Sequence, residues 1–120
     1  MRQLSYVIAA DIHPLNNLRV LNYLSDTIGV SQDQRLEWYR HWTATGLAAF
    51  ETLLAGGGTG RYCHGEMVTM ADICLVPQVY NANRFEVDLA PYPTVQRINE
   101  ACLSLEEFAK AAPDVQPDAE

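Results

Sequence analysis

The sequence has few positive charges and no long hydrophobic run. Eight Lys and Arg residues face 15 Asp and Glu residues, which leaves a formal net charge of -7 at pH 7. Nucleic-acid-binding surfaces depend on clustered positive charge, so this composition predicts no nucleic-acid partner. No apolar run approaches the roughly 18 residues that a membrane-spanning helix requires. We therefore expect a soluble protein that binds neither nucleic acid nor a membrane.

Cysteine is also scarce, and its spacing indicates neither a disulfide framework nor a metal site. Cys63, Cys74 and Cys102 are odd in number and widely spaced, as is typical of reduced thiols in a cytosolic protein. Cys63 and His64 are adjacent in the chain, whereas zinc ligands are usually separated by two or more residues. The first residues lack the basic, apolar and small-residue order of a signal peptide. These features predict a cytoplasmic protein without a metal ion.

The sequence lacks the sustained alternation of apolar and polar residues that marks β-strands. Its 120 residues, of which 48% are hydrophobic and 19% charged, suffice for one domain with its own core. Apolar residues recur at helical spacing along nearly the whole chain. The pattern predicts an all-α bundle of about five helices over residues 1–112, followed by an acidic tail at 113–120.

Several helix boundaries are visible in the sequence. A first helix is predicted from about Gln3 to Leu24, with a kink or break at Pro14, because proline removes a backbone hydrogen bond. A second helix should begin at the capping box Ser31–Gln34 and end at the glycines of 56–58. A further helix, Pro93 to Leu105, begins with proline in a favoured first-turn position.

An aspartate beside the apolar run ICLVPQVY at 73–80 could be a catalytic acid or a helix cap. Thr69 and Asp72 are three residues apart, which is the spacing of a capping box in which each side chain accepts from the other residue's amide. A helix buried on most sides needs such partners, because water cannot reach its first amides. We expect Thr69 and Asp72 to be structural.

Polar residues of the first helix allow two interpretations. Helical geometry places His13 and Asn17 within about 40° of each other, with Asn16 and Arg19 on the same broad polar side and Leu18 on the opposite side. From the residues alone, His13 and Asn17 are better explained as partners for the carbonyl freed by Pro14, and Arg19 as a surface charge. The other interpretation is a binding site.

Arg84 and the aromatic residues also allow more than one interpretation. Arg84 follows the apolar helix, where an arginine can satisfy the last carbonyls and the helix dipole. Trp38, Tyr39 and Trp42 could line a pocket, but aromatic residues at this spacing on a long helix more often pack in a core or an interface. We interpret Tyr80 and Phe85 in the same way.

Three stretches of the chain resemble glutathione transferases. Residues 62–78, YCHGEMVTMADICLVPQ, resemble the capped core helix of the C-terminal domain of the soluble enzymes. Residues 12–24, IHPLNNLRVLNYL, and 76–99, VPQVYNANRFEVDLAPYPTVQRIN, resemble the zeta class, the maleylacetoacetate and maleylpyruvate isomerases. The resemblance covers nearly the whole chain and implies the helical bundle of a glutathione transferase C-terminal domain.

The resemblance assigns binding roles to residues that the spacing left open. It implies that His13, Asn17, Leu18 and Arg19 fall on positions that contact glutathione or the substrate. The family also has glutamine at the His13 position and serine at the Arg19 position, so these two bear on substrate preference. Arg84 falls on a position that binds a substrate carboxylate, and a guanidinium offers that group two parallel donors.

The implied reaction is the glutathione-dependent cis–trans isomerisation of a keto diacid from aromatic catabolism. A thiolate adds to the double bond, rotation follows, and elimination restores the trans alkene. The family's thiol-activating motif lies in an N-terminal thioredoxin-like domain, to which nothing in this sequence corresponds. We therefore expect a substrate-binding domain that is inactive alone and, because its apolar stripes need cover, associates as a homodimer.

A stand-alone helical module that binds other proteins is the alternative function. Domains of this fold also occur as adaptors, and apolar surface left by a missing partner domain could recruit a protein. An adaptor would have no need of His13, Asn17 and Arg84 together.

Overall fold

The computed structural model of the chain describes residues 1–119, and within them it is all-α, with no strand beyond an isolated bridge between Thr59 and Gly65. The elements are α1 (Arg2–Tyr6), a π-helical segment (Val7–Ile12), α2 (His13–Asn16), α3 (Leu18–Tyr23), a second π-helical segment (Leu24–Ile28), α4 (Gln32–Ala55), α5 (Met70–Arg84), α6 (Pro93–Leu103), α7 (Glu106–Ala111) and a 3-10 turn (Pro113–Val115). Counting the interrupted path from Arg2 to Ile28 as one helix, the bundle has five, which confirms the predicted fold class.

The first helical path is interrupted at Asn17 rather than at Pro14, where the sequence predicts a kink or break. Asn17 has extended backbone angles, with φ -70° and ψ 160°. Pro14 lies within a continuous helical path, because Ile12 and His13 before it keep right-handed helical angles. The π-helical segment Val7–Ile12 precedes α2 directly. The helical path therefore takes π-helical geometry before Pro14 and is interrupted three residues after it.

The long helix α4 begins and ends as the sequence predicts. Ser31 N donates to Gln34 Oε1 at 2.9 Å, and Gln34 N donates to Ser31 Oγ at 3.2 Å, so the capping box is complete. The helix ends at Ala55, directly before the three glycines. One face of α4 is buried in the core and carries Tyr39, Thr43, Leu47, Phe50 and Leu54.

The first helical path packs against α4 with little space between the backbones. Ile12 is buried, and its side chain occupies the position that a Cβ on Gly46 would fill. A glycine within a helix costs about 1 kcal/mol relative to alanine, and here it permits this contact. Gly46 therefore fixes how closely the path that carries α2 approaches α4.

The start of α5 is held by Asp72, which is fully buried. Its Oδ2 accepts from Thr69 N at 2.8 Å and from the Thr69 hydroxyl at 3.0 Å. Its Oδ1 accepts from Cys63 N at 2.8 Å. The carboxylate thus joins the first turn of α5 to the preceding loop and has no free oxygen facing solvent.

The packing of α6 follows the sequence pattern, but its N-terminal contacts do not. Val95, Ile98 and Cys102 are buried, as predicted, but the helix ends at Leu103, before the predicted end at Leu105. Its first amides are bound by Glu51 of α4, whose Oε1 accepts from Thr94 N at 2.8 Å and whose Oε2 accepts from Val95 N at 2.9 Å. A side chain more than 40 positions earlier therefore completes this helix end.

The segment that follows α7 lies against α5. The Tyr80 hydroxyl donates to Asp114 Oδ1 at 3.2 Å. Gln116 Nε2 donates to the carbonyls of Lys110 at 2.8 Å and Ala112 at 3.0 Å. Within residues 1–119, no helix is both long enough and apolar enough to cross a membrane.

Candidate functional site

The helix break at Asn17 leaves backbone groups that side chains bind. Asn17 Oδ1 accepts from Val20 N at 3.0 Å, and Asn17 Nδ2 donates to the Pro14 carbonyl at 3.1 Å. Trp38 Nε1 of α4 donates to the Leu15 carbonyl at 2.9 Å. Helix ends need such partners because their terminal groups lack intrahelical ones. The break is therefore an ordered feature, and Asn17 binds the carbonyl of Pro14 itself rather than the Ala10 carbonyl, which is the one that a proline at position 14 frees.

The other candidate residues of the first helical path surround this break. His13 and Arg19 are exposed, and Asn17 is half-buried. Leu18 is 65% exposed, although the helical spacing placed it on the core side. The expectation fails because the break starts a new helix at Leu18 and turns its side chain away from the core. The four residues thus lie together around one helix junction.

Asn16 is buried beside the break, so its predicted place on the polar side of the first helix is wrong. Asn16 is 9% exposed, and its Nδ2 donates to the Tyr39 carbonyl at 3.1 Å and to Thr43 Oγ1 at 2.9 Å. Both acceptors belong to α4, 23 and 27 positions away. The adjacent pair of asparagines in the sequence was the available signal, but nothing local shows which of them faces the core.

The end of α5 contacts α4 at Tyr39 and Arg40, beside the residues that Asn16 binds. The rings of Tyr39 and Phe85 lie 4.2 Å apart between centroids. Arg40 Nε donates to the Phe85 carbonyl at 2.9 Å. Burial raises the pKa of the Tyr39 phenol above its usual 10.0, and the positive charge of Arg84 opposes that rise. Tyr39 therefore lies within the electrostatic reach of Arg84.

Arg84, the last residue of α5, carries a charge that faces solvent. Its guanidinium carbon lies 5.7 Å from the centroid of the Phe85 ring, within the range of a cation–π contact. The ion pairs found within residues 1–119 join Arg40 to Glu86 and Lys110 to Glu106. Arg84 thus forms no ion pair with a carboxylate of residues 1–119.

Arg84 lines one end of a groove between α5, α6 and α7. The groove has a volume of about 510 Å³, within the range of small-molecule sites. One face of α5 forms its floor, and apolar side chains from α6 and α7 form the opposite wall. The floor carries Ile73, Pro77 and Tyr80, and the wall carries Leu103 of α6 and Phe108 of α7. The arrangement suits a small molecule with an apolar part and a carboxylate.

The buried cysteines Cys63 and Cys102 lie in an environment that favours the protonated thiol. Burial, followed by the nearby Asp72 carboxylate, raises the pKa of Cys102 to about 11. The same two causes, in the same order, raise the pKa of Cys63 still further. Both therefore remain protonated thiols at neutral pH. Within residues 1–119, no three His, Cys, Asp or Glu side chains form a cluster that could hold a metal ion.

Comparison with known proteins gives a consistent result. The family model described as "Glutathione S-transferase, C-terminal domain" matches residues 37–114. A probable maleylacetoacetate isomerase of Vibrio cholerae is 48% identical over 119 residues, covering 99% of this chain and 55% of the relative. The chain thus spans about half the length of the curated relatives it matches.

Solved structures show the same fold at similar identity. A maleylpyruvate isomerase described as a bacterial glutathione S-transferase of the zeta class superposes with a TM-score of 0.95 and 44% identity, over 99% of this chain and 57% of that one. A maleylacetoacetate isomerase of Anaeromyxobacter dehalogenans with glutathione bound in its active site gives a TM-score of 0.91 and 44% identity, over 99% and 53%. The resemblance to the zeta class is confirmed.

Proposed function

This chain belongs to the glutathione S-transferase C-terminal domain family, and we propose that it is the substrate-binding part of a maleylacetoacetate or maleylpyruvate cis–trans isomerase. The observation that carries the proposal is the exposed guanidinium of Arg84 at the edge of a groove of about 510 Å³. The relatives' names supply the reaction, and this geometry supplies a place for a small diacid.

Arg84 would bind one carboxylate of the keto diacid. Its planar guanidinium can donate two parallel hydrogen bonds, and the Phe85 ring beneath it limits its motion. Negative charge develops on the substrate during the reaction, so a cation close to it stabilises the transition state as well as the bound diacid. Arg19, exposed near the helix break, would add a second positive charge.

Glutathione would contact the helix break. Asn17 uses one N–H and one acceptor position internally, so its amide retains one of each for a peptide ligand. His13 is exposed on the same junction, and Leu18 offers an apolar side chain. These groups fit a tripeptide with amides and carboxylates. When bound, glutathione supplies the thiolate that adds reversibly to the double bond.

The complete isomerase requires more than these residues. By family resemblance, a thioredoxin-like domain activates the thiol, so we expect the chain alone to give no turnover. The free thiols Cys63, Cys74 and Cys102 support a cytoplasmic location.

A homodimer is supported by apolar side chains on the outer side of the first helical path. Tyr6, Tyr23 and Ile28 are 59%, 57% and 60% exposed, and covering such apolar side chains would favour association. Sedimentation of the chain at high micromolar concentration should show a dimer or larger species. A strictly monomeric profile would contradict this part of the proposal.

The isomerase proposal is tested by joining the chain to the thioredoxin-like domain of a maleylacetoacetate isomerase. The fusion should isomerise maleylacetoacetate or maleylpyruvate only when glutathione is present. The chain alone is the first control. Arg61→Met is the second, because Arg61 is an exposed arginine in the loop before α5 and should not affect the rate. A folded fusion without activity on either substrate would contradict the proposal.

A protein-interaction module is the second candidate, and one observation favours it. Met67, Met70 and Ile73 are 78%, 56% and 54% exposed around the start of α5. Exposed apolar side chains of this kind can form a protein contact. Such a module would bind its partner equally well after Arg84→Met, whereas the isomerase would lose activity.

A further inference from the structure

Residues 38–43 of α4 contact both parts of the proposed site, the helix break at Asn17 and the end of α5 with Arg84. On one side, Trp38 Nε1 binds the Leu15 carbonyl at 2.9 Å, and Asn16 Nδ2 binds the Tyr39 carbonyl and Thr43 Oγ1. These bonds hold the end of α2, directly before the break at Asn17. The break is therefore fixed to α4 by side chains on both helices.

Residues 38–43 of α4 also hold the end of α5. The Tyr39 ring packs on the Phe85 ring at 4.2 Å. Arg40 Nε donates to the Phe85 carbonyl at 2.9 Å, and Arg40 pairs with Glu86 at 3.1 Å. Arg84 precedes these contacts by one residue. The helix break and the end of α5 that carries Arg84 are thus both held by residues 38–43 of α4.

Asn16 is the residue on which the first of these connections depends most. Its single amide nitrogen has two hydrogens, and each has an acceptor on α4. The residue is only 9% exposed, so water cannot easily replace these bonds, and an unpaired buried partner is costly. A side chain without an amide nitrogen cannot make both contacts.

We propose that Asn16 is a positioning residue, which sets the place of the helix break with His13 and Asn17 relative to Arg84. The inference rests on the proposed function, because the distance matters only if both parts bind one reaction complex. A displacement of about 1 Å between reacting groups can lower a rate on the order of 100-fold. Asn16 need not touch glutathione or the substrate to affect turnover.

The geometric part is tested on the chain itself by NMR. Trp38 and Trp42 are the two tryptophans, and Trp42→Phe assigns their indole N–H resonances. Asn16→Leu should shift the Trp38 resonance clearly, because the Trp38 acceptor is the carbonyl of the adjacent Leu15. An unchanged Trp38 resonance in folded Asn16→Leu would overturn the inference, whatever the activity of the fusion.

The functional part is tested in the fusion with the thioredoxin-like domain. Asn16→Leu should lower kcat/KM roughly 10- to 100-fold, and Asn16→Gln, which retains both donors, should lose less. Ile98→Val, a core change in α6, is the control for lost stability and should leave kcat/KM unchanged. If Asn16→Leu retains native kcat/KM, the inference is wrong.

A double variant separates positioning from a general structural effect. When Arg84 is replaced by Met, adding Asn16→Leu should lower kcat/KM by much less than it does in the native background, because residues that act together are not additive. Full additivity would overturn the positioning role. An inactive native fusion would instead contradict the proposed function and leave Asn16 to be decided by the Trp38 resonance.

Discussion

The aromatic rings of Tyr39 and Phe85 lie 4.2 Å apart at an angle of 38°, and this contact joins the middle of the bundle to the residue that follows Arg84. Tyr39 is 4% exposed, whereas Arg84 faces solvent. The buried Tyr39 ring thus supports Phe85, whose ring contacts the exposed Arg84 guanidinium. The fold therefore places the positive charge of Arg84 at the edge of the groove.

The first prediction concerns the ionisation of Tyr39. Burial raises its pKa and Arg84 partly opposes the rise, so Arg84→Met should raise the pKa of Tyr39 further. Absorbance titration of the phenol, with Tyr39→Phe to identify its contribution, measures the shift. A lowered or unchanged pKa would show that Arg84 lies farther from Tyr39 than the structure has it.

The same shift gives a second prediction, on stability at alkaline pH. The unfolded chain releases the Tyr39 proton near pH 10.0, and the folded chain at a higher pH. The unfolded state therefore binds fewer protons in that window, and the free energy of unfolding should fall as the pH rises above about 10. Urea unfolding at several pH values should show a smaller decline in Tyr39→Phe than in the native chain. Equal declines would exclude this contribution.

A third prediction separates the two members of the cap on α5. Thr69→Ala removes one hydroxyl and should cost about 1 kcal/mol of unfolding free energy. Asp72→Ala leaves the amides of Thr69 and Cys63 without their acceptor, and should cost about 3 kcal/mol or more. Urea denaturation compares the two variants. An unchanged midpoint in Asp72→Ala would remove Asp72 from the structural role assigned to it.

A fourth prediction concerns the close contact between the first helical path and α4. Gly46→Ala should destabilise the fold by about 1 to 3 kcal/mol, because its methyl group overlaps the Ile12 side chain. Combined with Ile12→Ala, the same change should cost much less, since the cavity accepts the methyl group. A double-mutant cycle of unfolding free energies measures this coupling. Strict additivity of the two changes would contradict the packing described here.

Local signals in the sequence were enough for the helices but not for the contacts between them. The capping box of Ser31 and Gln34, the glycines after Ala55 and the core positions of α6 act over a few residues, and the structure has them as predicted. Asn16 was wrongly placed on the polar side and the role of Glu51 was missed, because their partners lie 23 to 44 positions away. No local pattern specifies such bonds.

The break at Asn17 shows a second limit of local reasoning. Pro14 is the residue that disrupts a helix most strongly by itself, yet the helical path continues through it, with π-helical geometry directly before it. The actual break depends on the cap that Asn17 gives to α3 and on Trp38 from another helix. The exposure of Leu18 follows from that break and could not be seen from a continuous helical pattern.

The central claim is that Arg84 binds a substrate carboxylate, and the fusion protein tests it by kcat/KM and thermal unfolding of the same variants. Arg84→Lys retains the charge but loses the paired donors, so its kcat/KM should fall by roughly 1 to 3 kcal/mol of transition-state stabilisation, and Arg84→Met should lose more. The Tm of both should barely change, because an exposed side chain contributes little to stability. Native kcat/KM in Arg84→Met, or a loss of Tm with turnover per folded molecule intact, would contradict the claim.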